Sequence, residues 1–591
     1  MNGKIKKTFI KASILFLLLI SVSSGQTVKF KFIETTDTHG AIFPYDFTNM
    51  KPNNHSLAQI YTYVEQQRAD TTQAVILLSN GDILQGTPAV YYYNFEKTDE
   101  PHLYAQVMNY MKYDAGSVGN HDIETGHPVY DKFVKELDFP WLSANSVDVK
   151  TGKPYFKPYT VIERRGIKIA ILGLITPAIP NWLPQKIWAG MRFDDMIETA
   201  KKWVPIIKEK EKPDIMIGLF HSGVNPNYNG QTAETYKNEN ATKLVAEQVP
   251  GFDIVFAGHD HHGWNMHVKN PAGKEILLIG GTSSARVFAE VSAVLTYDKA
   301  QSSWNKEITG KLVESKDYEP DPGFLKKFNP QFEEVKKYVS KEIGVFSKTI
   351  SSRDALFGDS PFVDLIHTIQ LDISKAEISL ASPLTFNTEI KKGKIYVKDM
   401  FKLYRYENLL YTMSLSGKEI KEILEYSAGK WFNQMKNAND DLLKFKKDKN
   451  GKLVWSERSN SPMLEGRFYN FESAEGINYT VDVSKPVGER IKISSMSDGS
   501  NFILTKMYKV ALNSYRGNGG GGHLTIGAKI SKDKLASRII TSTEKDLRFY
   551  MMKWIEKKGT INPKTNNNWK IIPKEWAEKG KEKDYKLLFG K

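Results

Sequence analysis

Short apolar runs recur along the first half of the chain, separated by polar segments that are compatible with helices. The runs lie between Val28 and about Lys311 and read AVILLSNGD, KIAILGLIT, DIMIGLFHSG, FDIVFAGHDHH and EILLIGGTSS. Continuous apolar runs of this length, bounded by turn residues, are typical of strands that are buried on both faces. Their alternation with helical segments predicts an α/β domain.

The pattern changes where SKDYEPDPGF introduces prolines and charges. The amphipathic stretch FLKKFNPQFEEVKKYVSKEI that follows predicts a connecting helix, and LSGKEIKEILEYSAGKWF predicts a helix in a second α/β domain. Residues 437–462 are predicted to form a charged surface insertion, and the tail after about Trp554 supports no assignment. We therefore predict domains over 27–317 and 344–591, joined by a linker helix over 318–343.

The amino terminus, MNGKIKKTFIKASILFLLLISVSSGQ, has a basic stretch, an apolar run and then small residues. This is the pattern of a secretory signal peptide, which we predict over residues 1–25. The apolar run is short for a bilayer span, so we expect cleavage and no membrane anchor afterwards. The expected product is an exported protein, periplasmic or secreted.

Composition narrows the chemistry. The chain of 591 residues is long enough for two hydrophobic cores. Its net charge of +14 is compatible with nucleic acid, an anionic surface or anionic small substrates, but the lysines are scattered, which favours a solvated surface and no binding of nucleic acid duplexes. Cysteine is absent, which excludes disulfides, thiolate metal ligands and a thiol nucleophile. Any metal must therefore bind to His, Asp, Glu or Asn.

Potential metal ligands follow five predicted strand ends. They are Asp37 and His39, Asp82, Asn120 with His121, His221, and His259 with His261. In an open α/β sheet, functional groups collect at the carboxyl ends of the strands, so these side chains are expected to converge. On extended backbone, residues i and i+2 point to one side, so Asp37 and His39 are expected to reach a single ion. The sequence thus predicts a metal centre built from oxygen and nitrogen ligands.

The ordered motifs D-x-H, G-D, G-N-H-D, H-S-G and G-H-x-H resemble those of the binuclear metallophosphoesterases. The later segments LYRYENLL, YNFESAEGINYTVDVSKP and VALNSYRGNGGGG resemble the carboxyl-terminal domain of the 5'-nucleotidase family. They are most similar to its periplasmic 2',3'-cyclic-nucleotide 2'-phosphodiesterase/3'-nucleotidase branch. The resemblance implies a four-layer αββα domain followed by an α/β nucleotide-binding domain.

This resemblance also implies the roles of the motif residues. One divalent ion would be held by Asp37, His39, Asp82 and His261, and a second by Asp82, Asn120, His221 and His259, with Asp82 bridging the two. Such ligands suit Zn, Mn or Co, and Mg less well. His121 would be the catalytic histidine. The family often has G-N-H-E followed by an acidic residue that orients this histidine; here Asp122 replaces the Glu, and Glu124 takes the orienting position.

In the second domain, Tyr406 and Tyr515 occupy the places of two aromatic rings that sandwich the nucleobase in the family, and Asn408 is a candidate for a hydrogen bond to a base edge. The run GNGGGG beside Tyr515 is expected to let the ligand approach the backbone closely. His262 is expected to be a supporting or solvent residue. His55, His102, His127, His267, His367 and His523 match no ligand motif and are expected in loops or on the surface.

The function expected from the resemblance is hydrolysis of 2',3'-cyclic nucleotides to 3'-nucleotides and then to nucleoside and phosphate, with nucleotides as the small-molecule substrates. A 5'-nucleotidase or UDP-sugar hydrolase of the same superfamily is the alternative enzyme. A nucleotide-binding or surface-adhesion protein without catalysis is the non-enzymatic alternative. The complete set of metal ligands argues against the latter.

Overall fold

The structure, a computed structural model, describes residues 26–228, 230–456 and 460–590. The predicted signal peptide over residues 1–25 lies outside these ranges. Among the helices of the described ranges, none combines the length and the apolar character that crossing a bilayer requires.

Two six-stranded sheets form the centre of the amino-terminal domain. The first sheet runs, in spatial order, Ser303–Glu314, Val287–Asp298, Thr27–Thr35, Gln73–Ser79, Ala115–Ser117 and Trp141–Leu142. The second runs Trp264–Lys269, Glu275–Gly280, Ile254–Ala257, Ile215–His221, Ile167–Ile175 and Tyr159–Arg164. One buried cluster joins their inner faces, with residues such as Phe32 and Ile76 from the first sheet and Ile171 and Ile217 from the second. The sheets therefore pack face to face.

Helices cover both outer faces of this pair of sheets. A buried cluster holds Leu57–Ala69, Leu103–Met111 and His127–Glu136 on the first sheet, and another holds Met196–Glu211 and Thr242–Gln248 on the second. The result is the expected four-layer αββα domain. All five apolar runs are strands. In the first sheet the strands Thr27–Thr35, Gln73–Ser79, Ala115–Ser117 and Trp141–Leu142 are parallel, whereas Val287–Asp298 is antiparallel to its neighbours. In the second sheet the four inner strands are parallel, so the carboxyl ends of these parallel strands meet at one edge.

The predicted connecting helix spans Pro322–Val339. It begins at Asp321, whose Oδ1 accepts a hydrogen bond from the Phe324 amide at 2.6 Å, and such a side-chain cap satisfies a free amide of the first turn. Phe324, Phe328, Val335 and Val339 of this helix belong to the cluster on the outer face of the first sheet. The helix is thus part of the helical layer of the first domain as well as a connection.

The carboxyl-terminal domain contains a mixed five-stranded sheet, in the order Ser473–Glu475, Ile378–Ala381, Met507–Asn513, Leu410–Ser416 and Ile539–Ser542. Its longer helices are Pro361–Ser374, Val397–Leu403, Gly417–Trp431, Leu547–Lys558 and Lys574–Phe589. The predicted amphipathic helix is confirmed as Gly417–Trp431 and begins with a capping box between Ser416 and Glu419.

The segment predicted as a charged surface insertion is anchored in the core of this domain. Leu442, Leu443 and Phe445 are buried, because they pack under the tail that the sequence left unassigned. That tail supplies the strand Trp569–Ile572, parallel to Ile477–Asp482, and the helix Lys574–Phe589. The purely superficial interpretation of residues 437–462 is therefore wrong for these three positions.

Asp584 joins the tail helix to this segment and provides a test of the anchoring. The carboxylate is fully buried, and its Oδ2 accepts the amides of Leu442 and Leu443, both at 2.8 Å. Asp584→Ala would leave two buried amides unpaired, so we expect the free energy of unfolding to fall by about 2–4 kcal/mol. Urea unfolding followed by circular dichroism measures this loss, and hydrogen exchange at the two leucine amides should accelerate. Glu582→Ala, at an exposed position of the same helix, is the control; equal small effects of both changes would contradict the anchoring.

Candidate metal centre and substrate cleft

The ligands predicted from the motifs converge at the edge where the strands end. Their ligand atoms form two groups, in each of which all atoms lie within 4.8 Å of one another: Asp37, His39, Asp82 and His261 in one, and Asp82, His221 and His259 in the other. Asn120 joins the second group, since its Oδ1 lies 3.2 Å from Nε2 of His221. The carboxylate of Asp82 is common to both groups.

The backbone at these strand ends is strained rather than extended. Asp37 and His39 both have φ of 48°, Asp82 has 53°, and His259 and His261 have 75° and 61°. The expectation that Asp37 and His39 share a side through an extended backbone is therefore wrong, because the strand ends at Thr35. Each such non-glycine residue costs on the order of 1–3 kcal/mol, and strain of this kind concentrates at functional sites.

Hydrogen bonds orient the histidine rings towards a shared space. Nδ1 of His39 lies 3.0 Å from the Gln85 carbonyl, and Nδ1 of His221 lies 2.5 Å from the Asn80 carbonyl. Donation through Nδ1 leaves the Nε2 lone pair of each ring available, which is the usual arrangement for a metal-ligating histidine. The sequence does not predict these contacts of Gln85 and Asn80, because any residue type offers a backbone carbonyl.

Two further observations test whether a metal ion suits these residues. Nε2 of His39 lies only 3.0 Å from Nε2 of His261. Oδ2 of Asp82 is buried without a hydrogen-bond partner among the described residues, although Nε2 of His221 lies 3.1 Å away. Lone pairs that face one another at this distance, beside an unsatisfied carboxylate oxygen, fit a shared divalent cation. The donor set of nitrogen and oxygen suits the metals expected from the sequence.

Asp122, the residue that replaces the family's Glu, connects two of the ligand loops. Its carboxylate accepts backbone amides from Asp82 at 3.0 Å, Ile83 at 2.8 Å, Leu84 at 3.0 Å and Gly119 at 2.8 Å. These bonds join the loop that carries Asp82 to the loop that carries Asn120. The sequence did not predict this role, since nothing in the motif shows which amides the carboxylate meets.

His259 has two neighbours that sequence reasoning missed. Its Nε2 lies 3.3 Å from Oε1 of Glu239, and its ring stacks on Trp182 with centroids 5.6 Å apart and planes at 29°. The His259 amide also donates to Oδ2 of Asp37 at 3.0 Å. Glu239 and Trp182 lie in loops without a recognisable motif, so only the tertiary structure places them beside the ligand.

His121 lies at the rim of the centre in contact with Glu124. Nδ1 of His121 is 2.5 Å from Oε2 of Glu124, and its amide donates to Oδ1 of Asp82 at 2.8 Å. Burial opposes the charged imidazolium, but the carboxylates of Asp82 and Glu124 outweigh it and raise the pKa of His121 to about 10. A protonated His121 is able to donate a hydrogen bond or a proton from Nε2.

Tyr406 and Tyr515 of the second domain interact electrostatically with residues near this centre. Both rings are half-buried. Burial raises the pKa of each tyrosine, and the charge of Glu124 adds to the effect on Tyr406 as that of Glu239 does on Tyr515. Each tyrosine is thus within electrostatic range of a carboxylate that contacts a candidate histidine, His121 or His259.

Asn408 is 8% exposed, and its backbone carbonyl accepts the Leu547 amide at 2.7 Å. Its contact with a base edge stays a prediction.

The glycine run beside Tyr515 has a packing role that the sequence did not predict. A Cβ at Gly521 would lie 2.2 Å from Nη1 of Arg516, and one at Gly520 would lie 2.5 Å from the ring of Tyr515. Packing against Arg516 and Tyr515 therefore requires glycine at these two positions, independently of any ligand.

The two domains contact each other at more than one place. The Tyr91 hydroxyl donates to Oδ2 of Asp546 at 2.9 Å, with the buried guanidinium of Arg548 4.7 Å from the Tyr91 ring centroid. Nδ2 of Asn518 donates to the Trp182 carbonyl at 3.2 Å. The domain that carries the candidate metal ligands and the domain that carries the two tyrosines are therefore in direct contact.

Among the remaining histidines, His267 is exposed, and His55 and His127 are half-buried. His262 is exposed, and its Nδ1 lies 2.7 Å from the Asp260 carbonyl. His102, His367 and His523 are between 1% and 3% exposed. His367 and His523 lie in helical segments, so their expected location in loops or on the surface is wrong, whereas His102 lies in a loop before the helix Leu103–Met111 but is buried. The absence of a ligand motif around a histidine does not show whether its ring is buried or exposed.

Comparison with known proteins agrees with this architecture. Residues 30–263 match the family described as calcineurin-like phosphoesterase, and residues 340–527 match the 5'-nucleotidase C-terminal domain. The chain therefore contains a calcineurin-like metallophosphoesterase domain followed by a 5'-nucleotidase carboxyl-terminal domain.

Particular relatives extend the similarity to nearly the whole chain. The 2',3'-cyclic-nucleotide 2'-phosphodiesterase/3'-nucleotidases of Yersinia enterocolitica and Salmonella typhimurium are 26% and 27% identical over 94% and 95% of this chain, and over 90% and 92% of their own. The trifunctional nucleotide phosphoesterase YfkN of Bacillus subtilis is 26% identical over 93% of this chain, which spans only 39% of YfkN.

Solved structures share the fold at low identity. The 5'-nucleotidase precursor of Thermus thermophilus has a TM-score of 0.60 and 19% identity, covering 92% of this chain and 100% of its own. A candidate 5'-nucleotidase of Staphylococcus aureus has a TM-score of 0.73 and 20% identity, covering 92% of this chain and 99% of its own.

Variants at Asp82 and His121 test whether Asp82 is a metal ligand and whether His121 is not. Asp82→Ala removes the carboxylate common to both groups, so we expect bound metal to fall, measured by atomic emission after loading with Mn²⁺ and gel filtration. His121→Ala should retain its metal. His262→Ala, at an exposed histidine of the same loop region, is the control. Full metal content in Asp82→Ala would contradict the ligand grouping.

Proposed function

We propose that this protein is an exported phosphoesterase with two divalent ions, which hydrolyses 2',3'-cyclic nucleotides to 3'-nucleotides and then to nucleoside and phosphate. The observation that carries the proposal is the convergence of two groups of potential metal ligands on Asp82. The similarity to the cyclic-nucleotide enzymes also spans both domains.

The proposed ligands of one ion are Asp37, His39, Asp82 and His261, and those of the other are Asp82, Asn120, His221 and His259. Ions held there would neutralise charge on the phosphoryl oxygens and make water a stronger nucleophile. The uncharged amide of Asn120 and the neutral rings limit the negative charge of the site, which favours an anionic substrate. The hydrogen bonds from His39 and His221 to backbone carbonyls keep the rings oriented.

His121 has the proposed role of proton donor. In the first reaction, water adds to phosphorus and the bond between phosphorus and the 2'-oxygen breaks; in the second, the bond to the 3'-oxygen breaks. Each leaving oxygen needs a proton, which a protonated His121 supplies. Glu124 acts on His121 by holding Nδ1, which leaves Nε2 as the nitrogen that donates the proton.

Tyr406 and Tyr515 have the proposed role of binding the nucleobase between their rings. Stacking between an aromatic side chain and a base is worth about 1–3 kcal/mol and tolerates any base. Because the rings and the metal ligands belong to different domains, a bound nucleotide spans the cleft. Inter-domain clefts are common positions for ligand sites.

Relatives named 5'-nucleotidase support the alternative of a 5'-nucleotidase or UDP-sugar hydrolase. The 5'-nucleotidase of Vibrio cholerae is 26% identical over 69% of this chain. The same metals and tyrosines would serve it, with the ribose in the opposite orientation. The shorter similarity makes this the second candidate.

A product analysis tests the proposed order of reactions. The full chain, loaded with Mn²⁺, is incubated with 2',3'-cAMP, and products are separated by chromatography. We expect 3'-AMP to appear before adenosine, and 3'-AMP to be hydrolysed faster than 5'-AMP. Exclusive hydrolysis of 5'-AMP would replace the proposal by its alternative. Loss of activity with a chelator and its return with Mn²⁺ would exclude a metal-independent contaminant.

Alanine variants of Tyr406 and Tyr515 test the base-binding role. Loss of about 1–3 kcal/mol of stacking should lower kcat/KM for 2',3'-cAMP and 3'-AMP by roughly five- to 150-fold. Hydrolysis of bis(p-nitrophenyl) phosphate, which needs no base contact, should fall much less. Tyr585→Ala, a half-buried tyrosine of the tail helix, controls for general damage. Equal losses on nucleotide and aryl substrates would assign the two rings a structural role.

A further inference from the structure

Tyr469 is an aromatic neighbour of Tyr406 that the sequence motifs did not identify. It lies in the short 3₁₀ turn Phe468–Asn470, and its ring is half-buried. Its ring centroid is 6.2 Å from that of Tyr406, and the two planes meet at 74°. The two rings thus form a corner, with the face of one nearly perpendicular to the face of the other.

Tyr469 is also close to Tyr515 and to the first domain. Burial raises the pKa of Tyr515 and of Tyr228, and the Tyr469 phenol contributes to both increases. Tyr228 belongs to the loop that follows the strand Ile215–His221, on the side of the metal centre. Tyr469 is therefore in ring contact with Tyr406 and within electrostatic range of Tyr515 and of Tyr228 in the first domain.

A buried arginine fixes Tyr469 relative to Tyr515. Arg516 is fully buried and pairs with Glu472 through Nε and Oε2 at 3.0 Å. Its Nη1 donates to the Gly520 carbonyl at 2.5 Å, and its Nη2 donates to the Tyr469 carbonyl at 3.3 Å. One side chain thus holds the backbone of the Tyr469 turn and the glycine loop after Tyr515, and a planar guanidinium has little freedom once these bonds form.

The corner has a consequence for a base stacked on Tyr406. A planar base parallel to the Tyr406 ring would present its edge to Tyr469, because the two ring planes are nearly perpendicular. Edge-to-face contacts between aromatic rings are favourable. A purine, with two fused rings, extends further from the ribose than a pyrimidine and reaches this position more completely.

We propose that Tyr469 is a third ring of the nucleobase site, which contacts the edge of the base and determines the preference between purines and pyrimidines. This inference rests on the proposed function, since it assumes that Tyr406 and Tyr515 bind a base. It adds a residue and a specificity that the two stacking rings do not provide, because stacking tolerates every base.

The test compares Tyr469→Ala, Tyr469→Phe and Tyr585→Ala in the full Mn²⁺-loaded chain. Calorimetry measures Kd for adenosine and uridine, and kinetics measure kcat/KM for 3'-AMP and 3'-UMP. We expect Tyr469→Ala to weaken adenosine binding by about two- to tenfold relative to uridine, through KM rather than kcat. Tyr469→Phe keeps the ring and should keep the wild-type ratio, and Tyr585→Ala should also leave it unchanged.

An unchanged ratio of adenosine to uridine binding in Tyr469→Ala would overturn the proposal, whatever the absolute affinities. A changed ratio that Tyr469→Phe shares would overturn the role of the ring. Failure of the proposed function is a separate result: wild-type protein would then hydrolyse neither 3'-AMP nor 3'-UMP, while the binding ratios would still test Tyr469. Unchanged metal content and hydrolysis of bis(p-nitrophenyl) phosphate show that each variant is folded.

Discussion

The buried carboxylate of Asp82 is the constraint on which the rest of the site depends. Burial disfavours its charge, but His221, His121 and His39 hold the pKa of Asp82 well below its ordinary value. An ionised, buried carboxylate with an unsatisfied oxygen needs positive charge beside it. The protonated His121, its backbone amide and a proposed pair of cations meet this need together.

This constraint extends into the backbone. The carboxylate of Asp122 accepts hydrogen bonds from four backbone amides and thereby joins the loop of Asp82 to the loop of Asn120. The left-handed backbone of five proposed ligand residues adds strain that the two packed sheets must offset. Stability of the αββα core is therefore a condition for a preorganised metal centre.

The second domain follows a similar principle with buried arginines. Arg548 donates to the Tyr404 carbonyl at 2.9 Å and pairs with Glu407 at 3.2 Å, on either side of Tyr406 in the chain. Arg516 holds the glycine loop that follows Tyr515. A fully buried guanidinium thus holds the segment next to each proposed base-contacting ring, the loop around Tyr406 and the glycine loop after the helix Ser514–Gly517 that carries Tyr515. The contact of Arg548 with Tyr91 also links this support to the first domain.

The sequence by itself determined the two-domain α/β organisation, the five strands and the residues that converge at their ends, because apolar runs and motif order are local properties. It misjudged the backbone of Asp37 and His39 and the burial of Leu442, Leu443 and Phe445. Tertiary structure alone decided these points, together with the positions of Glu239, Trp182 and Tyr469. The physical reason is that strain, burial and contacts between distant loops depend on packing across the sheets and between the domains, which no local pattern encodes.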